Sequence, residues 1–277
     1  LKVYSAETDP QRYADAQNQL GLATMDLPTY DQTENLQRAI ACYGEALRFR
    51  TPETEPMKYA ATQNNLGMAL TRLEDGDREA HLLQGVAHFK EALRFYTPEG
   101  TPEEYAKVCN NLGTACFDLR DVAPHYLQSA IECYQNALRI YTEDFTLASL
   151  RASVLINLGR AYTTLPGQNR AESLHRAIGY YEKALQMLDP ETNPRETAVT
   201  YEGLGQAYWD LPSGERTEHL PRIVGCYHNA LVLLTPNTFP ADLRRIGLAL
   251  GDLYLEQQAW TDAVNAYREA IVANETL

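Results

Sequence analysis

The chain of 277 residues is long enough for a sizeable core, and at 44 % hydrophobic residues it is not a disordered polymer. Its formal net charge of −13 argues against a nucleic-acid backbone or an anionic membrane as partner, and its longest purely apolar run, Ala230-Leu231-Val232-Leu233-Leu234, is far short of a spanning helix. Five cysteines, an odd number, do not read as a disulfide framework, and with no basic-then-apolar leader the default setting is reducing and cytoplasmic.

Read from the N-terminus, one register runs through the chain. Leu1 to Pro10 matches Leu47 to Pro56, so Leu1 falls where a preceding second helix should already be under way. The expectation is an array cut from within, whose apolar edge at Leu1, Val3 and Tyr4 self-associates or stacks end to end. The pair Leu-Gly then recurs every 46 residues, at Leu20-Gly21, Leu66-Gly67, Leu112-Gly113, Leu158-Gly159, Leu204-Gly205 and Leu250-Gly251. Ahead of each glycine stands a proline, Pro10, Pro56, Pro102, Pro194 or Pro240, with Ala148 in the fourth unit. An aromatic with alanine three residues on follows at Tyr43/Ala46, Phe89/Ala92, Tyr134/Ala137, Tyr181/Ala184, Tyr227/Ala230 and Tyr267/Ala270. After the fragment 1–9 this gives five long units, 10–54, 55–100, 101–146, 147–192 and 193–238, and a short terminal unit, 239–277.

Each unit spells a helical hairpin. In the first unit Leu36, Ala39, Ile40, Tyr43, Ala46 and Leu47 share one face of a second helix, with Thr33 as its N-cap. In the second unit Tyr59, Ala60, Gln63, Leu66, Gly67 and Leu70 make one face of a first helix, and Pro56 suits its first turn, where a missing N–H costs nothing. Thr51-Pro52, Thr97-Pro98, Asp189-Pro190 and Thr235-Pro236 stop second helices, because a residue before proline avoids the α region. No sustained period-2 stretch and no Asn-Gly hairpin points to a strand.

The Leu-Gly pair, the aromatic three residues after it in Tyr162, Tyr208 and Tyr254, and the Ala-x3-Tyr-x2-Ala run resemble the tetratricopeptide (TPR) family over essentially the whole chain. The run is clean in Ala39-Tyr43-Ala46, Ala130-Tyr134-Ala137, Ala177-Tyr181-Ala184 and Ala263-Tyr267-Ala270. The family's usual period is about 34 residues. The excess here falls partly inside the hairpin, where each long unit adds a leucine: Leu36, Leu82, Leu127, Leu174 and Leu220. These continue the apolar face, so the insertions read as longer helices of about 17 residues, about 25 Å in length. Asn-Asn-Leu-Gly in the second and third units is similar to the TPR region of kinesin light chains and their bacterial relatives. The resemblance implies an all-α, right-handed solenoid of antiparallel hairpins whose first helices line a concave groove.

Chemistry finds little support. The repeated glycines suit close helix–helix approach, and neither a phosphate loop nor a Walker sequence is present. Cys42, Cys133 and Cys226 share one slot with His88, Tyr180 and Ala266, as a packing position would. No Cys-x-x-Cys, His-Glu-x-x-His or Gly-x-Ser-x-Gly pattern exists, so no catalytic residue, metal or cofactor is expected.

The groove face is more informative. Asn18, Asn64 and Asn110 stand three residues before their glycines, and Asn65, Asn111 and Asn157 stand two before. An amide donates and accepts at once, so a row of them suits the backbone of an extended peptide; it equally suits bridges between adjacent units. One turn on, Leu22, Met25, Met68, Phe117 and Trp209 offer apolar anchors beside Arg160. Asp26, Asp118 and Asp210 share a slot that Arg72 fills once. A carboxylate there opposes the helix dipole, a repeated local cost that hints at function. The family's clamp for acidic tails needs paired lysines, and only Arg72, Lys107 and Arg160 are on offer.

The sequence therefore predicts one TPR-like solenoid over 1–277, a scaffold without catalysis. Its ligand is a protein or extended peptide segment, neutral or basic, held by Asn18, Asn64, Asn65, Asn110, Asn111, Asn157, Met68, Arg72, Phe117, Arg160 and Trp209. Neither nucleic acid nor membrane is expected as a partner. The alternative is a structural or sensor arm of a larger bacterial signalling protein that assembles through its ends.

Overall fold

The computed structural model of the protein describes residues 5–27, 31–142, 148–235 and 237–274, with side chains as far as residue 271. Leu1, Val3 and Tyr4 of the expected edge, and Pro236 of one expected stop, lie outside the described residues. Among the described residues every regular element is an α-helix, and the chain is an all-α solenoid of hairpins. It divides into two compact bodies, Leu1–Tyr141 and Thr142–Leu277. The first holds α1 (Pro10–Met25), α2 (Gln32–Leu47), α3 (Pro56–Arg72), α4 (Arg78–Ala92), α5 (Pro102–Asp118) and α6 (Pro124–Ile140). The second holds α7 (Ala148–Thr164), α8 (Arg170–Leu185), α9 (Pro194–Trp209), α10 (Ser213–Val232), α11 (Pro240–Glu256) and α12 (Trp260–Asn274).

The helix starts follow local chemistry. Pro10, Pro56, Pro102, Pro194 and Pro240 each open a first helix, where the absent N–H would have had no partner. The expected cap Thr33 is displaced by Asp31, whose carboxylate accepts the Glu34 N–H at 2.8 Å. An aspartate both accepts that bond and favours the positive end of the dipole, so it captures the start. Second helices also stop earlier than the X-Pro pairs. α2 ends at Leu47, and the Phe49 and Arg50 N–H groups turn back onto the Ala46 carbonyl before Pro52 is reached. α10 runs through Pro221, and Ile223 is fully buried while Leu220 is half-buried.

The core is built around the repeated aromatic. The rings of Tyr43, Phe89, Tyr134 and Tyr181 are buried directly on Gly21, Gly67, Gly113 and Gly159. A methyl group on Gly113 would sit 2.6 Å from the Tyr134 ring, so only glycine lets the two helices close. Tyr181 is gripped from both sides, since a methyl on Gly203 of the next hairpin would also meet its ring at 2.6 Å. Between hairpins, Leu66, Ala69, Leu70 and Leu73 of α3 form one cluster with Leu36, Ala39 and Tyr43 of α2. Its apolar burial is the main source of cohesion from repeat to repeat.

Candidate binding groove

In the N-terminal body the amides of successive first helices are hydrogen-bonded to one another. Asn65 on α3 donates from Nδ2 to Asn18 Oδ1 on α1 at 3.2 Å, and Asn111 on α5 donates to Asn64 Oδ1 on α3 at 3.1 Å. Thr62 also donates to Asn18 Oδ1, at 3.2 Å. Asn18 is buried where it meets α3, its carbonyl oxygen accepting from both Thr62 and Asn65. Asn64, Asn65, Asn110 and Asn111 are half-buried.

Beside Asn18 lies a charged knot that the repeat pattern hides. Arg50 is buried, donating to Thr62 Oγ1 at 2.6 Å and to Asp15 at 2.5 Å, and Lys58 meets the same carboxylate at 3.0 Å. Burial works against the Asp15 charge, but hydrogen bonds and charges from Arg50 and Lys58 outweigh it and hold its carboxyl below the usual range. The available signal was the slot itself: where Arg50 stands, later units carry Tyr96, Leu188 and Leu234.

The apolar anchors are unequal. Met68 is half-buried against the α2–α3 cluster. Met25 and Phe117 are buried, contrary to the expectation that they project as anchors. The Phe117 ring lies under the Arg120 guanidinium at 4.5 Å, and Arg120 is tied to the Phe117 carbonyl at 3.0 Å.

The acidic slot is paired within the molecule. Asp118 pairs with Arg78 at 3.3 Å, and Asp210 pairs with Arg170 at 2.7 Å. Each arginine opens a second helix and also bonds the last carbonyls of the first helix of its own hairpin: Arg78 to Thr71 and Leu73, Arg170 to Thr163 and Leu165. Arg72, exposed in the same slot, pairs with Asp26 at 3.7 Å. The cost of a carboxylate at a helix end is thus met by a cation from the neighbouring repeat. Arg78 and Arg170 share a repeat slot, which was the legible clue.

In the C-terminal body Asn157 is half-buried and Arg160 is exposed. The amide slot changes character at Glu202, which forms an ion pair with Arg245 of α11. Arg245 and Arg195 both reach Asp242 at 2.8 Å. Burial pushes the Glu202 carboxyl up despite Arg245. Trp209 is half-buried beneath Arg216, 4.6 Å from its ring. It lines a cleft of about 240 Å³ with Gln206, Tyr227, Asp252 and Glu256.

The thiols are chemically quiet. Burial raises Cys109, Cys116 and Cys226 to about 11 and Cys133 to about 12, so all four stay protonated at neutral pH. Among the described residues no cluster of His, Cys, Asp and Glu is arranged to hold a metal ion, and no helix is long and apolar enough to cross a membrane.

No protein-family model and no curated protein matches the chain. Solved structures do match. The apo form of RapI aligns over 97% of this chain and 85% of that chain, with TM-score 0.62 and 16% identity. The Cut9–Hcn1 hetero-tetramer of the APC/C gives TM-score 0.54 at 17% identity, over 96% of this chain and 46% of that chain. The C-terminal part of a TPR repeat-containing protein from Cytophaga hutchinsonii gives TM-score 0.54 at 13% identity, over 96% of each chain. The shared feature is the fold: this chain is a TPR-like α-solenoid.

Proposed function

We propose that the chain is a protein-interaction scaffold whose first-helix groove holds an extended peptide segment, without catalysis of its own. The observation that carries this reading is the geometry of the amide pairs. Asn65 and Asn111 each spend one N–H on the preceding repeat, and their carbonyl oxygens have no hydrogen-bond partner among the described residues. The pairing fixes the orientation of the remaining donor and acceptor before a ligand arrives. Preorganisation of that kind lowers the ordering cost of binding. Asn18 and Asn64 act as positioning residues, Asn110 and Asn157 extend the row in their own bodies, and Met68 and Trp209 supply apolar contact. Arg72 and Arg160 border the groove. Phe117 forms part of its floor.

A neutral or basic segment fits better than an acidic one. The net charge of −13 and the exposed Asp252 and Glu256 beside Trp209 support that preference. Asp26, Asp118 and Asp210 contribute less, being paired internally.

The test begins with a peptide selected from a random display library on the immobilised chain. Its calorimetric titration into the Asn65→Ala/Asn111→Ala variant should show binding weaker by about 1–3 kcal/mol, if each lost amide leaves a peptide backbone group unpaired. A melting curve on the same sample checks folding. Unchanged affinity in a folded variant sinks the proposal, and a collapsed melt shows that the amides serve only to join repeats.

A further inference from the structure

Two joints of the solenoid are closed by the same brace. Arg78 at the start of α4 holds Asp118 at the end of α5 at 3.3 Å, and Arg170 at the start of α8 holds Asp210 just past the end of α9 at 2.7 Å. The same register pairs Arg216 of α10 with Glu256 at the end of α11, and there the brace is open. Arg216 lies over the Trp209 ring instead, and the exposed Glu256 carboxylate has neither a hydrogen bond nor an ion pair among the described residues. The slot two before the repeated glycine differs too. Asn65 and Asn111 span to the preceding first helix, and Gly203 lies directly on the Tyr181 ring. In α11 that slot holds Ala249, too short to bridge and carrying the methyl that Gly203 lacks. The cleft of about 240 Å³ lies at this joint, lined by Trp209, Tyr227, Ala249, Asp252 and Glu256 among others.

We propose that this cleft is a subsite for an arginine side chain of the bound segment, its guanidinium taking at Glu256 the place that Arg78 and Arg170 take at Asp118 and Asp210. The proposal rests on the groove reading only for the course of that segment along the first helices. The occupant is identified by the molecule's own pattern, since a guanidinium meets this acidic slot in two other joints. Asp252 stands one helical turn before Glu256, on the same face. The Tyr267 hydroxyl donates to Asp252 Oδ1 at 2.5 Å, which fixes the carboxylate and leaves Oδ2 for a ligand. Two carboxylates suit the planar five-donor fork of arginine better than the compact ammonium of lysine. Trp209 and Tyr227 offer aromatic surface to the flat group and its methylene stem. Arg216 brings one positive charge to this rim against two negative ones from Asp252 and Glu256. The volume is below the roughly 300–1,000 Å³ of drug-sized sites and suits a single side chain.

Trp209 reports on its own cleft once the other tryptophan, the exposed Trp260, is replaced by phenylalanine. The Trp260→Phe chain is titrated with a blocked pentapeptide carrying a central arginine between glycines, and with its lysine and citrulline counterparts. Citrulline keeps the planar shape and lacks the charge. The arginine peptide should change Trp209 emission saturably, the lysine peptide should bind more weakly, and the citrulline peptide should give no change over the same range. Glu256→Gln should weaken the arginine peptide roughly 5-fold or more. Its melting curve should not move, because the replaced carboxylate is exposed and unpartnered. Asn65→Ala/Asn111→Ala should leave this titration unaltered, since those amides belong to the other body. A flat titration with the arginine peptide, equal binding of the lysine or citrulline peptide, or unchanged affinity in folded Glu256→Gln overturns the subsite. A lost arginine response beside a display-selected peptide that still depends on Asn65 and Asn111 strikes the subsite alone, and the reverse strikes the groove reading alone.

Discussion

At Gly113 a single hydrogen decides how close two helices come. The ring of Tyr134 occupies the space where a side chain would begin, and the ring is itself buried. Gly113→Ala should therefore cost about 1–3 kcal/mol of stability through overpacking. Gly44 is the control, because a methyl there meets nothing within 4 Å, and Gly44→Ala in the last turn of α2 should instead gain up to about 1 kcal/mol. Chemical denaturation of the two variants checks both signs. His88 supplies a second residue-scale prediction. Its Nδ1–H donates to Gln63 Oε1 at 2.5 Å, and burial lowers its pKa although Glu91 pulls the other way. The unfolded chain then binds the proton more readily than the folded one, so stability is full above the unfolded value of about 6.5 and falls as pH drops below it. Thermal melts between neutral and mildly acidic pH should show this loss, and His88→Gln should flatten the slope. The glycine's role was legible because residue type and slot coincide six times in the sequence. The burial of Phe117 and Met25 was not: helical periodicity gives the face of a residue, while Arg120 and the neighbouring hairpin decide whether that face is covered.

Helix ends add a second set of ties to the apolar packing. Arg170 gathers two carbonyls from the end of α7 and the Asp210 carboxylate at the end of α9, so one side chain joins three elements. Arg170→Ala should cost about 1–2 kcal/mol, since it leaves carbonyls short of a charged donor. Asp210→Ala should cost less than about 1 kcal/mol, because it removes a partly exposed ion pair and an exposed hydrogen bond from Gln206. A double-mutant cycle on melting free energies separates the two contributions. Sequence reading took the recurring aspartate for a sign of function because the intrahelical dipole is the only local field visible in one helix. The partner cation comes from the preceding hairpin, 40 residues earlier in the chain. Asp31 displacing Thr33 at the start of α2 has a similar cause, since both are legitimate caps and the choice depends on where the first turn closes. The hairpins themselves were plain, because 3.6-residue periodicity and N1 prolines are local signals.

At the scale of the whole molecule, the 46-residue register specified the architecture, because each repeat needs its neighbour to bury its face. The site was legible only in part. Composition and spacing located a row of amides, but a row of amides reads the same whether it binds a ligand or bridges repeats. The structure shows bridging in two pairs, with half-buried donors and acceptors to spare at Asn65 and Asn111. The claim that this spare capacity holds a peptide is tested most directly by diffraction from crystals of the chain grown with the display-selected peptide. The account predicts density for an extended backbone along α3 and α5, with peptide N–H and C=O groups about 2.7–3.2 Å from the Asn65 and Asn111 amides. A bound peptide seated elsewhere on the molecule, with those amides touching only their partners in the neighbouring repeat, would contradict it.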